Sequence, residues 1–218
     1  MKSKKKHVAF LMGGLSSERD VSINSGNACY DAIDKEKYHA TKVIINKNFY
    51  DQILTIKPDI CFNALHGSFG EDGTIQSILN KIKMPYTHSG ANASTIAMNK
   101  LLTKNYLSQF FKNTEDQIIF PKTFDLKSLK QYEKFLPLVL KPISGGSSVE
   151  INILNNDADL NNVKDKMFSN KFIVEPLVGN RELTVSVLEN KPLVVTEIIS
   201  KKNLFYDYNS KYLSLIHI

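Results

Sequence analysis

The chain has 218 residues, 42% of them hydrophobic and 23% charged, an ordinary globular composition with room for one or two domains and a buried core. No apolar run reaches the ~18 residues of a membrane helix, and the apolar part of the start, MKSKKKHVAFLMGG, is shorter than the ~7 residues a signal peptide needs. The net charge of +6 comes from lysines that are scattered apart from a basic start, and only two of 28 basic residues are arginine, which argues against nucleic-acid readout and for a solvated surface that favours small anions.

The first ninety or so residues alternate strand and helix. HVAFLM (7–12) reads as a buried strand, followed by a helix with Val21, Ala28, Cys29, Ala32 and Ile33 on one stripe. TKVIIN (41–46) and DICFNAL (59–65) read as further strands with a short helix between them, GTIQSILNKI (73–82) as a helix, and MPYTHSG as a short strand ending in a turn. Such alternation specifies a parallel sheet, whose ligands bind in the loops beyond the strand carboxyl ends. Two unusual loops, GGLSSERDVS and LHGSFGEDG, fall at those positions. Neither a Walker A pattern nor GxGxxG occurs, so a dinucleotide fingerprint is absent.

From about residue 91 the texture changes, and the boundary is placed at residues 90–104. NASTIAMNKLLTKNYLSQFF reads as one helix; LPLVLKP, VEINIL and KFIVEPLV read as strands, with the helix DADLNNVKDKMF before the last. RELTVSVLENKPLVVTEII reads as two strands around a Glu-Asn-Lys turn, giving an antiparallel α+β half with helices on one face. The loop KPISGGSSVE is, by composition alone, a linker or hairpin before it is a ligand loop, although Lys141 closes an apolar strand rather than lying on an open surface. Cys29 and Cys61 sit in apolar stretches without CxxC spacing and read as small buried hydrophobes in a reducing cytoplasm.

Seven motifs then coincide in order: MGGLSSERDVS, ALHGSFGEDGTIQ, MPYTHSG, AMNK, LVLKPISGGSSV, IVEPLVGNRELTV and FYDYNSKYLS. Together they make the chain resemble the D-alanine–D-alanine ligases of the ATP-grasp superfamily over about residues 7–214. The resemblance implies an α/β fold: a Rossmann-like substrate-binding domain (1–98), an ATP-grasp central subdomain (99–178), and the start of the ATP-grasp C-terminal subdomain (179–218). It implies that Lys141 and Lys100 contact nucleotide phosphates, that Gly145, Gly146, Ser147 and Ser148 fold over the triphosphate, and that Glu175, Pro176, Leu177 and Val178 line the adenine. Glu182 would accept the ribose hydroxyls, and Lys211 would reach the terminal phosphate from a lid that also carries Tyr212. Glu18 would hold the ammonium of the first D-alanine, with Ser147 and Tyr212 as its partners and His66 nearby; read without the family, Glu18 is a first-turn acid on a helix dipole.

The implied reaction is ATP-dependent ligation of two D-alanines through an acylphosphate, for peptidoglycan precursor synthesis, in a homodimer without nucleic-acid or membrane partners. A non-catalytic nucleotide binder and a ligase with an acceptor such as D-lactate are the alternatives. Two departures from the family pattern stand out. Glu150 replaces a usual glycine, and the family continues for about a third of its length beyond residue 218, where ligands for Mg2+ or Mn2+ are expected. This chain alone is therefore expected to be inactive, with the apolar faces of LTVSVLE and LVVTEII uncovered.

Overall fold

The computed structural model describes residues 5–111, 120–125, 127–179 and 181–199. The chain separates into two compact units, Met1–Leu107 and Ser108–Ile218.

In the first unit, strands β1 (Lys6–Gly13), β2 (Tyr38–Ile45) and β3 (Ile60–Asn63) form a parallel sheet in the order β2-β1-β3, with Leu11 opposite both Val43 and Asn63. A parallel bridge from Cys61 to Tyr86 extends its edge, as expected of a short strand in MPYTHSG. Helices α1 (Arg19–Ala32), α2 (Phe49–Ile56) and α3 (Thr74–Lys81) connect these strands. The central strand β1 is covered on both faces, which is why it reads as an unbroken apolar run. Ala9 and Leu11 pack with Val43, Ile45, Ile53, Ile75 and Leu79, whereas Val8, Phe10 and Met12 pack against Cys29 and Tyr30 of α1 and Ile33 just beyond it. Each large side chain so buried contributes about 1.5–3 kcal/mol, before the cost of ordering it.

Three sequence expectations need correction here. In α1, Ala28 and Ala32 are exposed, and the buried positions are Ser22 and Gly26, with Cys29 and Ile33 partly buried. A Cβ at Gly26 would lie 2.7 Å from Met12 Cβ, so the helix approaches β1 through small residues that an apolar pattern does not score. The strand boundaries shift, with β2 beginning at Tyr38 and β3 ending at Asn63. The single helix expected after residue 91 is two helices, α4 (Ala91–Met98) and α5 (Lys100–Phe110). Asn99 breaks it: its backbone is extended, and its side-chain oxygen accepts the N–H groups of Leu101 and Leu102, each at 3.0 Å, as an N-cap does.

In the second unit, β4 (Leu138–Pro142) is flanked by β5 (Asn152–Leu154) and β6 (Phe172–Pro176) in an antiparallel sheet. Three short helices, α6 (Leu129–Glu133), α7 (Asp157–Asn162) and α8 (Lys164–Met167), supply Tyr132, Leu160 and Met167 to a core with Leu138, Leu140, Leu154 and Val174. The helix expected over 157–168 is thus divided at Val163. Alternation sends Val139, Lys141, Ile173 and Glu175 to the opposite sheet face. The strands β7 (Glu182–Leu188) and β8 (Lys191–Ile198) form a hairpin whose turn residues Glu189 and Asn190 are both left-handed, the conformation a two-residue type I′ turn requires. Its apolar residues, among them Leu183, Val187 and Val194, are exposed.

Candidate active site

In the first unit, the loops after β1 and β3 lie side by side at the carboxyl end of the sheet. Ser22 ties them together, its hydroxyl donating to Ala64 O at 2.7 Å and accepting from Gly13 N–H at 2.9 Å. Ser16 adds a second tie, donating to His66 O at 2.8 Å and accepting Glu18 N–H at 3.2 Å. Glu18, at the start of α1, is 4% exposed. Gly67 has φ +69°, and a Cβ there would lie 2.7 Å from Glu18 Oε2, so only glycine lets this backbone pass the carboxylate.

The second loop is held from within. Glu71 Oε2 accepts Gly67 N–H at 2.8 Å, while Asp72 accepts Phe69 N–H and Thr74 N–H at 2.8 and 2.9 Å. Burial would raise the Asp72 carboxyl, but these hydrogen bonds outweigh it and hold it below the usual carboxylate range. The buried amides of Asn63 and Gln76 both donate to Gly70 O, at 2.9 and 2.8 Å. His66 sits on this braced loop, with Nε2 3.1 Å from Ser25 Oγ and Nδ1 3.8 Å from Glu71 Oε1.

In the second unit, Lys141 and Glu175 come together on the sheet face opposite Leu138 and Leu140. Their Nζ–Oε2 distance is 2.5 Å, and Glu175, 1% exposed, also accepts Thr123 Oγ–H at 3.1 Å. The loop 143–150 leaves the end of β4 from Ile143, whose N–H donates to Lys171 O at 2.9 Å. Gly145, Ser147, Ser148 and Glu150 all have positive φ, +129°, 51°, 59° and 58°. VEINIL is therefore a strand only from Asn152, and Glu150 lies in the loop rather than on an alternating strand. It is exposed there, with its carboxylate 3.4 Å from Lys166 Nζ.

Pro176 ends β6, and Leu177 N–H donates to Pro137 O at 3.0 Å, which turns Leu177 and Val178 onto the surface. Glu182 opens β7 opposite Ile198 and is exposed. Lys100 opens α5 directly after the Asn99 cap. Lys211 and Tyr212 lie outside the described residues.

Among the described residues, no three His, Cys, Asp or Glu side chains are grouped to hold a metal ion. The carboxylates near the loop are engaged by lysines, so these residues do not fit a magnesium site. The described residues also contain no helix long and apolar enough to cross a membrane. Sequence reasoning missed Ser16, Ser25, Glu71 and Thr123, whose partners lie 2 to 52 positions away; the only local signal was the acid pair Glu71–Asp72 in a glycine-rich turn.

A parallel α/β unit with two paired loops beyond its strands, followed by an antiparallel sheet whose central strand ends in a lysine and a glycine loop, is the fold of the ATP-grasp ligases. The family sequence model for the D-ala D-ala ligase N-terminus matches residues 7–54 and 48–89, and that for the D-ala D-ala ligase C-terminus matches residues 98–217. A D-alanine–D-alanine ligase of Sinorhizobium medicae is 41% identical over 212 residues, 95% of this chain and 68% of the relative. The crystal structure of the Bacillus anthracis D-alanine–D-alanine ligase superposes with TM-score 0.75 at 31% identity, covering 88% of this chain and 64% of that one. The same enzyme complexed with ATP gives 0.74 at 30% identity, with 94% and 68% coverage. The chain belongs to the D-alanine–D-alanine ligase family, and it spans about two thirds of the length of these relatives.

Proposed function

We propose that the protein joins two D-alanine molecules at the expense of ATP, in the cytoplasm, to supply the dipeptide of peptidoglycan precursors, and that it works as a homodimer. The observation that carries this reading is Glu18. A carboxylate 4% exposed, set at the carboxyl end of the sheet where the backbone of Gly67 passes close beside it, suits recognition of a small ammonium group. A pure nucleotide binder has no need of such a carboxylate, and family membership supports the same conclusion.

In the proposed first step, a carboxylate oxygen of one D-alanine attacks the terminal phosphorus of ATP. The bond to the bridging oxygen breaks, ADP leaves, and an acylphosphate forms. In the second step, the amine of another D-alanine attacks the acyl carbon. The carbon–oxygen bond to phosphate breaks, the nitrogen loses a proton, and D-alanyl-D-alanine and phosphate are released. Such chemistry needs positioning and charge neutralisation rather than a nucleophilic side chain. Glu18 fixes the first ammonium. Lys141, Lys100 and Lys211 bring positive charge to the phosphates. The loop Gly145–Ser148, Ser147 included, lends backbone N–H groups to the phosphates. Glu175 to Val178 receive the adenine, and Glu182 receives the ribose.

The test follows oxygen. With D-alanine labelled by 18O in its carboxylate, the acylphosphate route places one labelled oxygen in the released phosphate. Unlabelled phosphate, formed together with dipeptide, would refute it.

A further inference from the structure

Ser25 lies in the middle of α1 and has no part in the reaction as set out above, yet it touches the one imidazole of the substrate loops. Its Oγ is 2.8 Å from Val21 O, 3.3 Å from Ser22 O and 3.1 Å from His66 Nε2. A hydroxyl has one proton, and the two carbonyls can only accept. The shortest contact places that proton on Val21 O, leaving the Oγ lone pairs for His66. Nε2 must then carry the N–H of the third contact. In the neutral ring Nδ1 is left with its lone pair, on the side of Glu71. Glu71 does not take that atom: its Oε1 stands 3.8 Å away, beyond hydrogen bonding, and its Oε2 holds Gly67 N–H at 2.8 Å.

We infer that Ser25 is a positioning residue that holds His66 in the Nε2–H tautomer and in one ring orientation, so that Nδ1 serves as an acceptor for the amino group of the first substrate. This deepens the D-alanine reading and rests on it. An alkylammonium carries three donors, and the surrounding loops offer the Glu18 carboxylate and, with Ser25 in place, a neutral nitrogen acceptor. The main chain of His66 is already fixed by Ser16 at 2.8 Å, so the ring is the part that Ser25 settles.

The test uses the intact protein labelled with 15N at histidine, and the variants Ser25→Ala and Ser25→Thr. Alanine is a better helix former than serine, so Ser25→Ala keeps α1. At a pH where His66 is neutral, its ring nitrogens should show the Nε2–H tautomer in the parent, a tautomer mixture in Ser25→Ala, and the parental pattern again in Ser25→Thr. Losing one hydrogen bond should raise the D-alanine KM roughly two- to tenfold, with the ATP KM unchanged. An Nδ1–H tautomer in the parent, or identical spectra in parent and Ser25→Ala, overturns the inference. A changed spectrum with an unchanged D-alanine KM, while Glu18→Gln raises that KM, overturns the link to substrate. If neither variant moves the KM, the proposed pocket itself fails, and with it the role given to Ser25.

Discussion

Lys141 Nζ lies 2.5 Å from Glu175 Oε2 across a diagonal of the antiparallel sheet, because Val139 faces Glu175 and Lys141 faces Ile173 in the β4–β6 register. The lysine proposed for phosphate and the acid proposed for adenine are therefore one ion pair with a buried carboxylate. Removing the lysine takes a cation from beside that buried carboxylate, so Lys141→Met should cost about 3 kcal/mol of stability as well as weaken ATP binding. Glu175→Gln in the Lys141→Met background should recover much of the stability but none of the affinity. Chemical denaturation and calorimetric titration with ATP on the parent, the two single variants and the double variant separate the two effects. Additive stability changes would contradict the pairing.

Glu18→Gln keeps the side-chain shape and removes the charge. A charge-assisted hydrogen bond contributes about 1.5–3 kcal/mol, so the D-alanine KM should rise roughly tenfold to a hundredfold. The melting temperature should change little, and an unchanged KM would remove Glu18 from the pocket.

Glu150 occupies a left-handed position, φ 58°, which favours glycine. A side chain there costs about 1–2 kcal/mol, and its exposed contact with Lys166 at 3.4 Å returns little. Glu150→Gly should therefore stabilise the protein by roughly 0.5–1 kcal/mol, after glycine's own backbone entropy is counted. A lowered melting temperature would show that the Lys166 contact outweighs the strain.

Asp72 makes stability depend on pH. Its folded carboxyl titrates below the usual range, so the unfolded chain takes up its proton first as the pH falls. Its contribution is complete above about pH 4 and lost as the pH drops through the lowered folded value. Asp72→Ala should cost about 2 kcal/mol at pH 7, and the gap to the parent should narrow below about pH 4. A gap constant with pH would show that the carboxylate charge is not what braces the loop.

Much of this architecture is legible in the sequence. The apolar run at β1, the strand–helix alternation and the Glu-Asn turn of the β7–β8 hairpin follow from local pattern. The buried face of α1 does not, because close packing on Met12 selects Ser22 and Gly26, which carry no hydrophobic signal. The break at Asn99 depends on one side chain capping its own backbone rather than continuing a helix. Contacts such as Lys141–Glu175 and Ser25–His66 follow from strand register and loop closure, which no local window contains. The motifs mark the loops, and the structure supplies which residues brace them.

The central claim is that this protein spends ATP only to join D-alanine to D-alanine. The most direct measurement is phosphate release by the intact protein with ATP and magnesium, titrated with D-alanine and accompanied by chromatographic quantitation of dipeptide. The account predicts one phosphate and one D-alanyl-D-alanine per ATP consumed, with no release when D-alanine is replaced by L-alanine. Phosphate release that is indifferent to D-alanine, or that proceeds without dipeptide, would contradict it.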